Sequence, residues 1–185
     1  MPVQSWVETL IRSKVDGPTI TAAAATSCIP DEAIITLPAN FFAIGKQILV
    51  RAAGRISCAV TTPGTARFDL RLGGTVVFDS LAMNLNIVAK TNVAWLLDIL
   101  LTCRAEGSGT DAKLFGQGSF TSEAGILAPL PSVGSNAIFT IPYASAPAVG
   151  GGFNSTAALA LDMFFTQTEA TGSLTVHQYA VQDLG

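Results

Sequence analysis

Apolar and charged residues take strict turns along residues 66–72: Phe68, Leu70 and Leu72 have one parity, Arg67, Asp69 and Arg71 the other. Side chains of a strand point alternately to its two faces, so this spacing predicts a strand with one face inward and a charged face outward, solvated or paired across strands. Gly73-Gly74 follows, a tight hairpin signal, and leads into a second β-rich run, Val76-Val77-Phe78. Residues 92–107 repeat the rule over a greater length. Val93, Trp95, Leu97, Ile99, Leu101 and Cys103 share one face, and Ala94, Leu96, Asp98, Leu100, Thr102 and Arg104 share the other. A helix is an alternative over such a run, but Thr102, the glycines after it and the β-rich neighbours favour one long strand.

The same reading predicts strands at residues 32–37, ending at Pro38, and at 46–60, with Gly54 as a bulge or bend. Others fall at 113–122 and, within a Pro- and Gly-rich excursion over 123–153, at Ala137 to Ile141. Residues 19–29 read as a small-residue strand or extended arm. Residues 61–64, Thr-Thr-Pro-Gly, read as a β-turn in which proline pre-sets φ and glycine takes the awkward dihedral. Residues 155–184 read as a closing hairpin that turns at 169–172. The first 17 residues carry two patterns. Ser5 and Glu8 fit a helix capping box, while a β-arm ending at Asp16-Gly17 fits as well and is preferred.

Eight to ten strands with Gly/Pro turns and no strand–helix rhythm predict an all-β protein. The expected fold is a jelly-roll-like β-sandwich over residues 18–185, preceded by an N-terminal arm at 1–17. No internal repeat supports a solenoid or propeller.

Composition sharpens this picture. Only 12% of the 185 residues are charged and mean hydropathy is +0.48, where a soluble domain carries roughly 25% charge. The most apolar windows, 92–103 and 155–165, each contain an aspartate and are shorter than the roughly 20 residues of a membrane helix. No membrane span and no secretory signal is expected. A net charge of -3 offers no basic stripe for phosphates, which argues against nucleic acid as a partner. Two explanations of the apolar surplus remain, an outside coated by Thr, Ser, Asn and Gly, or surface buried against other chains. Both are expected. Leu96 and Leu100 oppose the Trp95 face, and Phe164 opposes Leu161, Met163 and Phe165. These apolar second faces, with Trp6 in the arm, make Leu96, Leu100, Phe164 and Trp6 the candidate subunit interface.

Candidate chemistry is sparse. His177 is the one histidine, and no nucleophile or orienting acid is nominated for it. Cys28, Cys58 and Cys103 are odd in number and far apart, which predicts buried free thiols made in a reducing cytoplasm. Asp69, Asp79, Asp98 and Asp162 each fall in a predicted strand, and a pair of them could serve a glycosidase only if the fold brought them together. No catalytic residue, metal site or cofactor is expected. A carbohydrate-binding sandwich would want exposed loop aromatics, for which Phe153, Tyr143 and Trp6 are the candidates.

Four stretches, TLPANFFAIGKQILVRAAGRIS, TTPGTARFDLRLGGTVVF, NVAWLLDILLTCRAEGSGTDAKLFGQGSFTSEA and STAALALDMFF with LTVHQY, together resemble a family of small virion structural proteins of tailed bacteriophages. The resemblance covers roughly residues 30–184 and rests on strand and turn patterns. It implies a jelly-roll-like domain that decorates or cements the head shell, often as a homotrimer bound to the major capsid protein or other virion proteins. A tail, baseplate or fibre address is the alternative it leaves. The localisation it implies is the virion, assembled in the host cytoplasm.

Overall fold

The computed structural model describes residues 6–59, 63–126 and 137–185. Twelve strands lie among them: β1 Glu8–Arg12, β2 Thr26–Ser27, β3 Ile35–Leu37, β4 Gln47–Cys58, β5 Thr65–Leu72, β6 Thr75–Asp79, β7 Met83–Asn84, β8 Lys90–Ala105, β9 Lys113–Ser122, β10 Ala137–Ile141, β11 Leu159–Gln167 and β12 Ser173–Asp183. The count exceeds the eight to ten expected because β2, β3 and β7 are pieces of two or three residues. The described helix is a single 3-10 turn, Asp31–Ala33, which takes the first residues of the strand expected at 32–37.

Every strand pair is antiparallel. One sheet runs β1-β12-β4-β8-β9-β10, and the other runs β2-β11-β5-β6, with β3 also on β11 and β7 also on β5. The first and last strands are neighbours, and the chain passes between the sheets from β1 to β2 and β3, back to β4, over to β5 and β6, then back to β8. That order is the double Greek key of a jelly roll, with β9 and β10 widening the first sheet. The fold is therefore a β-sandwich of the expected class.

The opening alternation is realised on its apolar side, while Asp69 on the charged side is buried as well. Phe68, Leu70 and Leu72 are buried, and Gly73 (φ +55°) and Gly74 (φ +88°) make the turn between β5 and β6. Both central residues at positive φ are what a type I′ hairpin demands. On β8 the alternation holds from Trp95 to Cys103, with the odd positions buried and Leu96, Asp98 and Leu100 outside. The two inner faces meet in an aromatic cluster. Phe68 of β5 lies 5.4 Å from Trp95 of β8, 5.3 Å from Phe120 of β9 and 5.2 Å from Phe165 of β11, ring centre to ring centre. Residues that fill both sides of one gap fix the spacing of the sheets.

Two expectations need correction. Residues 155–184 do not form a hairpin. β11 pairs with β5, β2 and β3, while β12 pairs with β4 and β1 in the other sheet. Residues 168–172 instead carry the chain across the ~10 Å between sheets, and buried Gln167 pins that corner by donating to the carbonyls of Thr21 (2.8 Å) and Gly172 (3.2 Å). Gly54 is not itself the bulge. The extra residue is His177 on β12, between the pairs Val176–Gly54 and Gln178–Ala53. A side chain at Gly54 would sit 1.9 Å from the Thr175 carbonyl oxygen, so glycine there admits the close approach of β12. Of the two alternatives for residues 19–29, a strand or an extended arm, the arm fits better, since they carry only the two-residue β2 and one bridge, Ile20 to Leu174.

Residues 8–12 are β and pair with β12 at the sheet edge. Ser5 of the alternative capping box, Thr61 and Thr62 of the expected turn, and part of the 123–153 excursion lie outside the described residues. Gly64 of that turn has φ +67°. No helix among the described residues is long and apolar enough to cross a membrane.

Candidate functional site

The outer face of the first sheet can be assembled row by row from its registers. One row runs Gln178 (β12), Ala53 (β4), Leu96 (β8), Thr121 (β9), Ile138 (β10). The next runs Ala180, Arg51, Asp98, Ser119, Thr140, and the third runs Gln182, Leu49, Leu100, Gln117. Leu96 is 58% exposed, Leu100 37% and Ile138 62%, so three large apolar side chains stand in water on one rigid surface. Arg51 and Asp98 face each other across β4 and β8 and form an exposed ion pair, Nε to Oδ1 2.9 Å.

This face is not flat. Ala53 and Ala180 are short, and Arg12, Arg51, Leu96 and Gln178 stand around them. The result is an open hollow of about 510 Å³, whose rim also includes Ser13 and Asp98. Tyr179 borders the hollow, but its side chain is buried, and its hydroxyl has no hydrogen-bond partner among the described residues.

The outer face of the second sheet differs in kind. Its charges, expected to be solvated or paired across strands, are largely paired. Asp69 is 3% exposed. Arg71 donates from Nε to Asp69 Oδ1 and from Nη2 to Oδ2 (3.2 Å), and its guanidinium lies over the Phe164 ring, 3.7 Å from the centroid. Arg67 binds Asp79 on β6, with Nε donating to Oδ1 at 2.8 Å. Ser27 on β2 donates to Asp162 Oδ1 at 2.7 Å, while burial pushes the Asp162 carboxyl pKa up. A chain with few charges can build this face because each arginine on it is matched to a particular aspartate.

The four candidate interface residues therefore do not converge. Leu96 and Leu100 share the first sheet's outer face. Phe164 points outward from the opposite sheet and is half-covered by Arg71 of its own chain. Trp6, 76% exposed, precedes β1. Of the loop aromatics, Phe153 is buried against Phe42, and Tyr143 packs edge-on to Phe139, which leaves Trp6 alone in the open.

The four aspartates are all in strands. Asp69 and Asp79 are cross-strand neighbours, each held by an arginine, and Asp98 lies on the other sheet. His177 Nδ1 is 2.9 Å from Asp16 Oδ1. No group of three or more potential metal ligands occurs among the described residues. All three cysteines are free and buried, and burial raises their thiol pKa values.

Sequence reasoning found Leu96, Leu100 and the outward parity of Asp98. It missed Arg12, Arg51, Gln178 and the alanine hollow, which come together only through pairing of β1, β12 and β4. Ile138 was legible, since its strand was expected and Phe139 sets the opposite parity.

No protein-family model matches the sequence, and no curated protein matches it. Among solved structures, the chain is similar to the CBM2 module of the evolved Dit of Lactobacillus casei BL23 phage J-1, at 10% identity and a TM-score of 0.38 over 99% of each chain. A likeness at that level carries no argument about this chain.

Proposed function

We propose that this protein is a non-enzymatic structural component of a bacteriophage virion, and that it attaches to neighbouring protein through the outer face of its first sheet. One observation carries the reading: Leu96, Leu100 and Ile138 stand exposed together on a continuous six-stranded sheet. Large apolar side chains grouped on a rigid surface gain free energy only when another surface removes them from water, at about 25 cal/mol per Å². The sequence resemblance supports the head shell as the address and decoration or cementing as the task. Cryo-EM of the source particle tests this. The expected map holds the sandwich with this face seated on protein. A particle without the sandwich, or with this face open to solvent, overturns the reading.

The hollow favours a second reading, a glycan-binding module on the tail or a fibre. Guanidinium, carboxylate and carboxamide groups around a concave floor can hydrogen-bond sugar hydroxyls. No exposed aromatic lines the floor to stack on a sugar ring. Glycan-array binding lost in Arg51→Ala would favour this reading over docking to protein.

A further inference from the structure

The registers of β4 and β8 make the first sheet's outer face complementary to itself, and we infer that its occupant is a second copy of this chain. The inference rests on the docking reading above. Consider a two-fold axis lying in the plane of contact, parallel to the strands and midway between β4 and β8. It sets each β4 residue of one copy against the β8 residue of the same row in the other. Arg51 then meets Asp98 of the second copy, Ala53 meets its Leu96, and Leu49 meets its Leu100.

Each of these pairings is favourable. The guanidinium meets a carboxylate, the projecting leucine enters the alanine hollow, and leucine packs on leucine. The flanking strands agree, since Gln178 and Ala180 of β12 come over Thr121 and Ser119 of β9. No like charges are opposed in these rows. Such reciprocity is what an isologous interface requires.

The face is also large enough. Six strands at ~4.8 Å and about 34 Å of β8 offer roughly 800 Å², the share of one partner in a standard interface. Turning the axis about 15° from the strand direction gives the ~30° crossing of sheets packed face to face, and the contact is then carried by β4 and β8, the strands nearest the axis. A two-fold face joins two copies, where the sequence resemblance implied three.

Light scattering on the full chain, coupled to size exclusion, tests the inference. The expected mass of the wild type is twice 19.1 kDa. Arg51→Glu and Asp98→Arg each place like charges across the axis, and each is expected to weaken association at least tenfold while the circular dichroism stays unchanged. An equal mixture of the two variants is expected to recover the double mass. In the mixed pair the carboxylate introduced at position 51 faces the guanidinium introduced at position 98, and the native Asp98 of the first variant faces the native Arg51 of the second. Loss of an ion pair within one chain predicts no such recovery.

A wild type of single or triple mass overturns the inference, as does a mixture that stays monomeric. These outcomes are separable from failure of the docking reading. A monomer in solution whose first sheet is nonetheless covered by another protein in the virion removes the second copy as occupant and keeps the face as a docking surface.

Discussion

Arg71 lies over the ring of Phe164, 3.7 Å from its centroid, and holds buried Asp69 with two nitrogens of the same guanidinium. One side chain thus covers an outward-facing aromatic on β11 and neutralises a carboxylate on β5. Breaking a buried pair by removing one partner costs about 3–5 kcal/mol, and less here because Arg71 keeps some access to water. Asp69→Ala is expected to lose about 2–3 kcal/mol in urea denaturation, and Phe164→Ala about 1 kcal/mol. The double variant should lose less than the sum, since both changes release the same arginine. Strict additivity would show that the stack and the pair act separately.

At Gly54 the backbone of β12 comes too close for any side chain. A Cβ would stand 1.9 Å from the Thr175 carbonyl oxygen, a backbone atom fixed in its own ladder. Gly54→Ala must separate β4 from β12 beside the His177 bulge. The expected loss is about 3 kcal/mol or more, a fall of roughly 6 °C or more in melting temperature for a domain of this size. A variant that melts within a degree of the wild type would refute the close approach.

Asp162 gives a pH signature of definite sign. Burial, the largest influence, raises its pKa above the usual carboxylate range, against the lowering effect of the Ser27 hydroxyl. Between the unfolded and the raised folded value, the native state holds more protons than the unfolded state. This group's contribution to stability therefore falls as pH rises through that window. Asp162→Asn keeps an oxygen for Ser27 and removes the buried charge. It is expected to gain up to about 1 kcal/mol at neutral pH, a modest figure because the carboxyl is only half-buried. Below the window the gain should vanish. Denaturation at pH 7 and pH 3 checks both, and a variant destabilised at pH 7 would contradict the sign.

Tyr179 brings its hydroxyl into the interior without a hydrogen-bond partner among the described residues. An unpaired buried hydroxyl costs about 1–3 kcal/mol of desolvation. Burial also pushes the phenol pKa far above its ordinary value. Tyr179→Phe removes the hydroxyl and keeps the ring, so the expected outcome is unchanged stability or a gain of about 1 kcal/mol by denaturant titration. A clear loss of stability would reveal a bond to the hydroxyl.

The amino-acid order alone settled what depends on neighbours two or three positions apart. The parity of Phe68 and Leu70, the inward face of β8, the Gly73-Gly74 turn and the bounds of β10 were all legible, because alternation and turn chemistry are local properties of a strand. Which strand lies beside which was decided by the folded chain. Residues 155–184 look like a hairpin until β5 and β4 claim β11 and β12 for different sheets, since burying both inner faces outweighs closing a short turn. For the same reason Asp69 is buried under an arginine two residues away, and Arg12, Arg51 and Gln178 ring a hollow no single segment encodes. Pairing between distant segments is set by total burial and loop closure, to which every strand contributes and which no local spacing records.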